Sequence, residues 1–406
     1  MRVVITGLGC VSALGQGVNP TWAALIEGRS GIVPFSKSYG DHPGLQFQGP
    51  AAPVNGLDLS GVAARFGAKA MASLDPLAAF AAVAALEALS DAGLVDDPVL
   101  DTRTAILFGA GSGGNATFEE GFSRIYDRKL GSVHPLTIPK SMISAPAAQL
   151  SMMFGVRGLA FTISSACSSS AHAIGEAMHM IRAGRTDVAL VGGGEAALTL
   201  GSWLSWTALR AMAPDTCRPF SAGRKGLVLG EGAAMLVLES YEHARARGAT
   251  IYGELAGMGA SSDAHHLTMP NPAGSEAALR AAHADAGIPL DAPTLISSHG
   301  TGTVLNDKAE TAGMKAAYGA EMRDKLVIAT KSTHGHLIGG GGALEFLIGL
   351  MAMRNRLAPP VLNWLERDPD CDVPLALEPT PFNGDALISS SFAFGGLNAV
   401  LAAKRV

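Results

Sequence analysis

The chain has 406 residues, of which 48% are hydrophobic and 16% charged, with a formal net charge of −5. That much apolar material fills a large core without metals or disulfides, and a mildly acidic chain with no block of lysine and arginine is not built to hold nucleic acid. Fifty glycines and abundant alanine favour helices packed closely on sheet over a heavily solvated surface.

In chain order, the opening run Met1–Gly7 carries one positive charge and a short β-branched stretch, too short for a signal-peptide core, so a cytoplasmic protein is expected. The β-branched runs predict strands at Val3–Thr6, Thr104–Phe108, Ala160–Ile163, Val188–Val191, Ala233–Glu239, Leu295–Ser298, Leu326–Ala329 and Ala386–Ser390. Between them, small-residue stretches predict helices at Pro76–Gly93, Ala171–Gly184, Ser275–Ala286 and Gly342–Asn355. Strands alternating with helices define an α/β class. No segment approaches the ~18 uninterrupted apolar residues of a membrane span; Pro76–Leu94 is broken by Glu87, Ser90 and Asp91. A membrane is therefore not an expected partner. Cys10, Cys167, Cys217 and Cys371 lie far apart with no CxxC spacing, and are read as free thiols.

One internal echo organises the chain. Ala160–Ile163 leads through Ser164-Ser165-Ala166-Cys167 into a small-residue helix, and Leu326–Ala329 leads through Thr330–His336 and Gly339–Gly342 into another. The repetition predicts a duplication whose two special helices press together at the centre, with the seam near Gly248–Asp263.

Cys167 falls where a strand meets a helix N-terminus, whose dipole favours a thiolate by roughly 0.3–1 kcal/mol. A small buried thiol is the commoner fate of a free cysteine. That is the reading for the other three cysteines, and position alone leaves both readings open for Cys167. His299, before Gly300-Thr301-Gly302-Thr303, and His336, after Lys331, sit at strand ends, which in α/β folds face the ligand crevice. The remaining nine histidines lack such settings, although His265 and His266 sit in a loop placed to line an entrance. Gly109–Gly114 fits GxGxxG after a strand, but no strand ending in an acid follows at the dinucleotide spacing. His265 with His266, or His334 with His336, lacks the HExxH or Cys/His context of a metal site, so none is expected.

Taken together, Ser165-Ala166-Cys167-Ser168, His299–Thr303 with Asn306-Asp307 and Glu310, Lys331-Ser332 with Gly335-His336, and Phe392-Ala393-Phe394-Gly395-Gly396-Leu397-Asn398 resemble the elongating β-ketoacyl-[acyl-carrier-protein] synthases, types I and II, of the thiolase superfamily. Within them the chain looks closest to the nodulation-type synthases that build specialised acyl chains. The resemblance runs in order along nearly the whole chain, from Val4–Gly9 through Arg218-Pro219-Phe220 and Gly230-Glu231-Gly232.

It implies a thiolase fold of two pseudo-equivalent halves in five αβαβα layers, residues 1–250 carrying the nucleophile and 251–406 the histidines. It implies an acyltransferase in which Cys167 accepts an acyl group from acyl carrier protein as a thioester, with no cofactor beyond the carrier's phosphopantetheine. His299 and His336 would donate to the enolate of decarboxylating malonyl-carrier protein, and the amides of Cys167 and Phe394 would form a second oxyanion hole. It also implies a Lys331–Glu310 ion pair, Asp307 orienting local water, Thr301 and Thr303 bonding the pantetheine amides, and Phe394 gating an acyl pocket that Phe392 and Ser112 help to shape. Arg65, Lys69 and Arg210 are assigned to carrier docking, and Leu159–Ser164 to pairing in a homodimer. The alternative is the catalytic half of a ketosynthase/chain-length-factor heterodimer making polyene or nodulation-type chains. Thiolases and chalcone synthases add a second cysteine or replace a histidine with asparagine, and neither pattern is present.

The sequence departs from the family in three places. Ala393 and Leu397 replace a glycine and a threonine. Ser221 and Arg224-Lys225-Gly226-Leu227 stand where the family has Asp-x-x-Arg-Asp-Gly-Phe. Ser112 is smaller than the apolar residue of some relatives, which leaves room for medium to long chains provided its hydroxyl finds a partner.

Overall fold

The structure, a computed structural model, describes residues 1–38 and 46–406. The first half contributes β1 (Val3–Ser12), α1 (Pro76–Ala92), β2 (Thr104–Gly109), α2 (Ala145–Phe154), β3 (Ala160–Ile163), α3 (Ser169–Arg182), β4 (Val188–Glu195) and β5 (Gly232–Ser240). The second contributes β6 (Gly253–Ser262), α4 (Pro272–Ala286), β7 (Thr294–Ser297), α5 (Val304–Tyr318), β8 (Leu326–Ile328), α6 (Gly341–Asn355), β9 (Ala386–Ala393) and β10 (Leu397–Lys404).

The strand orders β3-β2-β4-β5-β1 and β8-β7-β9-β10-β6 are the same order displaced by five. Pairings repeat too: parallel at β2–β3 and β7–β8, antiparallel at β1–β5 and β6–β10. Even the bulge repeats, falling at Ile5/Gly7 in β1 and at Leu255/Gly257 in β6. The two sheets join through a short β1–β6 pairing, Val4 to Glu254 and Ile5 to Gly253.

Layering follows from which faces are apolar. Helix α1 packs on Ile106, Phe108, Leu190 and Met235 of the first sheet, and α4 covers Ile296, Ile388 and Val400 of the second. Between the sheets, Ile174 and Met178 of α3 and Leu344 and Leu347 of α6 share one core with Leu107, Leu236, Leu295 and Leu401. Five αβαβα layers result, as expected. The outer helices sit close because strand glycines admit them: a Cβ on Gly9 would lie 2.0 Å from Ala84 O, and one on Gly259 would lie 2.0 Å from Ala278 O.

Every predicted strand and helix is present. The sequence reading missed α2, β6, α5 and β10; the stretch taken as the seam is largely β6, a strand bound on both sides. No helix among the described residues is long and apolar enough to cross a membrane.

The two central helices are closely packed as well. Ala343 N donates to Ser170 Oγ (2.9 Å), and a Cβ on Gly342 would fall 2.8 Å from Ser391 Oγ and 3.1 Å from the Ala171 Cβ. Gly342→Val is therefore expected to cost about 1–3 kcal/mol by overpacking, read as a lowered thermal midpoint. An unchanged midpoint would show that the two helices do not press together there.

Candidate active site

Cys167 lies in a single 3-10 turn, Ala166–Ser168, at the mouth of α3. The turn demands a left-handed backbone at Ala166 (φ +52°), a strain that persists only where surroundings enforce it. Here they do: Ser169 Oγ donates to Ala166 O (2.6 Å) and accepts from Ser165 N (2.9 Å), and Ser168 Oγ reaches Leu397 O (2.8 Å).

The side chains that the sequence singled out converge. His336 Nε2 is 3.2 Å from Cys167 Sγ, the His299 and His336 rings stand edge to face at 5.4 Å, and one nitrogen of each ring lies within 4.8 Å of the other and of the sulfur. All three line a cavity of about 290 Å³ that opens to solvent past Thr301, Thr303, Phe392 and Phe394. Cysteine and histidine are also zinc-type ligands. Here, however, the sulfur and His336 already share a hydrogen bond.

The electrostatics differ from the expectation for a helix N-terminus. Burial pushes the Cys167 thiol up to about 12, and the nearby Lys331 charge and Phe394 amide offset this only in part. The resting group is therefore a thiol, with His336 Nε2 in reach of its proton. Burial, reinforced by the Lys331 charge, also holds His299 and His336 well below their ordinary value, so both rings are neutral near pH 7. Their tautomers differ in freedom. His299 Nδ1 faces Lys331 Nζ at 3.4 Å, and an ammonium can only donate, so the His299 proton sits on Nε2. His336 Nδ1 has no hydrogen-bond partner among the described residues, so that ring can accept from the thiol or donate to an oxygen.

Lys331 departs from its expected pairing. It forms its ion pair with Glu345 on α6 and donates to His299 O at 2.6 Å. Glu310 instead receives the amides of His299 (2.7 Å) and Gly300 (2.8 Å), because nearly two turns into α5 its carboxylate reaches back under the histidine loop. Asp307 is likewise a brace for the backbone. Fully buried, it accepts from the amides of Phe220 (2.8 Å) and Gly302 (3.2 Å), with Arg224 at 3.9 Å as counter-charge. The Thr301 and Thr303 hydroxyls bond one another (2.9 Å), and Thr303 caps α5. Phe394 stacks on Trp206, centroids 5.9 Å apart.

Ser112 does not line the cavity. It donates to Glu195 and accepts from Asn115 Nδ2 (2.9 Å), so its hydroxyl is satisfied. Glu195 also takes the amides of Gly111 (2.8 Å) and Gly339 (3.1 Å). This disposes of the GxGxxG stretch as a phosphate cradle, since a carboxylate already fills it. Of the docking residues, Arg210 lines the cavity. Arg65 pairs with Asp96 beside a separate hollow, and Lys69 lies on the helix Ser60–Ala72, away from the cavity wall. His266 lines the entrance, His265 does not, and His42 lies outside the described residues. Sequence reasoning missed Glu345, Glu195 and Trp206. The first two had a signal, each being a lone acid in or at the end of a run of apolar and small residues, Gly341–Met353 for Glu345 and Val188–Gly194 for Glu195.

Two duplicated α/β halves that bring a buried thiol and two neutral imidazoles to one cavity define a thiolase-fold condensing enzyme. Residues 1–244 match the family described as Beta-ketoacyl synthase, N-terminal domain, and residues 252–365 match its C-terminal domain; the chain belongs to the β-ketoacyl synthase family. It is 42% identical to Nodulation protein E of Rhizobium meliloti (strain 1021), over 100% of this chain and 99% of that one. It is 35% identical to 3-oxoacyl-[acyl-carrier-protein] synthase 2 of Vibrio harveyi, with the same coverage. Among solved structures, the ishigamide ketosynthase/chain length factor superposes with a TM-score of 0.92 at 32% identity, over 100% of this chain and 99% of that one.

Alkylation of Cys167 by iodoacetamide, followed by peptide mass, is expected to speed up about tenfold per pH unit from about pH 7 to about pH 9, because the thiolate remains the minor form. A plateau near neutrality would contradict the thiol state described above.

Proposed function

We propose that the protein is a β-ketoacyl-[acyl-carrier-protein] synthase that joins an acyl group held on Cys167 to malonyl-carrier protein with loss of carbon dioxide. The reading rests on the sulfur and the two imidazole nitrogens, all within 4.8 Å at the buried end of an open cavity.

In the first half-reaction Cys167 attacks the carrier thioester. Its proton passes to His336 Nε2 and then to the departing carrier thiol, leaving an acyl-cysteine. In the second, malonyl-carrier protein loses carbon dioxide, and the enolate oxygen accepts hydrogen bonds from His299 Nε2–H and from His336 Nε2–H in that ring's other tautomer. The carbanion attacks the Cys167 thioester, and the amides of Cys167 and Phe394 hold the oxyanion until the sulfur leaves and is reprotonated. Thr301 and Thr303 bond the amides of the pantetheine arm. That arm belongs to the substrate, and the enzyme needs no cofactor of its own.

Medium to long acyl chains, unsaturated ones included, are the preferred primers. Ser112 does not line the cavity of its own chain; its small side chain, satisfied by Glu195 and Asn115, would leave room for the acyl chain of a partner subunit across the dimer. Residues 1–250 and 251–406 act as one catalytic unit in the cytoplasm, as a homodimer or beside a chain-length-factor partner. The edge strand β3, paired on one side only and exposing Phe161, is suited to pairing with a second chain.

Incubation with a panel of acyl-carrier proteins should add the acyl mass to Cys167, with medium and long chains loading fastest; loading confined to acetyl and butyryl groups overturns the chain-length reading. Cys167→Gln should still decarboxylate malonyl-carrier protein while losing condensation. His299→Ala should slow decarboxylation by ~10²–10³. If Cys167→Gln loses both activities, the division of labour between sulfur and histidines is wrong.

A further inference from the structure

The exposed end of the cavity has a chemistry that the condensation does not use. Arg210 and Lys225 both line the cavity and both are exposed. They stand on segments held side by side, since Met212 pairs with Leu227 in a parallel bridge. Leu227 N donates to Ala211 O and Ala213 N to Leu227 O, each at 2.8 Å. Arg210, in a turn with left-handed backbone (φ +54°), and Lys225 each stand two residues before that bridge, so both cations belong to the same stretch of the cavity rim.

Acids in the neighbourhood are committed elsewhere. Asp215, which feels the Lys225 charge, is ion-paired to Arg218. Asp263 accepts from Asn398 Nδ2 (2.7 Å) and Asn271 N (2.8 Å), and Asp307 and Asp368 face Arg224. Among the described residues neither cation has a carboxylate within ion-pair distance. Two like charges on one rim repel, and an anion held at that rim relieves the repulsion while accepting charge-assisted hydrogen bonds from both.

We infer that Arg210 and Lys225 form a clamp for the phosphate of the pantetheine arm. The inference rests on the synthase reading, which sends a thioester to Cys167. Such an arm carries its thioester at one end, its phosphate at the other and two amides between. The cavity offers the same order: Cys167 at the buried end, the Thr301 and Thr303 hydroxyls along the wall and two cations at the rim. Lys225 stands where the family motif has an aspartate, so the charge at the rim is reversed from one that repels phosphate to one that attracts it.

The test compares acyl transfer to Cys167 from octanoyl-phosphopantetheine and octanoyl-pantetheine, with binding of the two deacylated arms measured by calorimetry. Wild-type protein should prefer the phosphorylated thioester by roughly tenfold in kcat/KM, a preference that shrinks as salt rises. The ratio should approach one in Lys225→Ala and in Arg210→Ala and fall below one in Lys225→Glu, with thermal midpoints unchanged for these exposed residues. A wild-type ratio near one, or a ratio that the substitutions leave alone, overturns the clamp. So does an effect seen with whole carrier protein but not with the free arm, since the cations would then be reading acidic side chains on the carrier. Phosphate-dependent binding without acylation of Cys167 would sink the synthase reading and leave the clamp standing.

Discussion

The structure turns on one contact: the N-termini of α3 and α6 meet in the middle layer with almost no side chain between them. Cys167 faces the cavity only because α3 begins there, and the loop bearing His336 is held over the sulfur because α6 begins beside it. Gly342 against Ala171 and the Ala343–Ser170 hydrogen bond set the spacing. Small residues at this seam are therefore a condition of the chemistry, since any bulk would move the sulfur and the imidazole apart.

Burial at this seam decides the charge states. Desolvation keeps the thiol protonated and both imidazoles neutral, the state in which two rings can serve as hydrogen-bond donors without charge. It also pushes the Glu195, Glu310 and Glu345 carboxyls up to about 7. Each has a structural task that offsets the cost: Glu195 ties Gly111 to Gly339, Glu310 holds the His299 loop by two amides, and Glu345 anchors Lys331. Lys331 in turn fixes the His299 tautomer. A buried ion pair is poor evidence for stability, and this one is better understood as setting the protonation of one ring.

Much of this was legible in the sequence because its signals were local. The Ser165–Ser168 turn, the His299–Thr303 loop and the Phe392–Asn398 hairpin each carry their chemistry within a few residues, and the strands that deliver Cys167 and His299 are β-branched. Elements without that signature were missed. Gly253–Ser262 falls within the expected seam because its glycines, which let α4 approach, remove the strand pattern, and Leu397–Lys404 is rich in alanine rather than β-branched residues. Lys331 was matched to Glu310 when its partner is Glu345, since choosing between two acids in two helices requires knowing which helix lies at the centre. The arginine-lysine pair at the rim depends on a bridge between residues 212 and 227 that no periodicity announces.

The duplication explains why only one of the two equivalent helix mouths presents a side chain to the cavity. Ala166 and Ile338 are equivalent, each in the left-handed region (φ +52° and +40°) and each three residues before a central helix. The position equivalent to Cys167 is therefore Gly339. A Cβ there would fall 2.1 Å from Gly111 N, and the Gly339 amide is already bound to Glu195. The second helix mouth is packed shut and can bear no side chain, whereas the first opens into the cavity. Two copies of one turn thus divide the work: one presents a sulfur, and the other, closed by Glu195, leaves the loop before it to supply the imidazole that faces that sulfur.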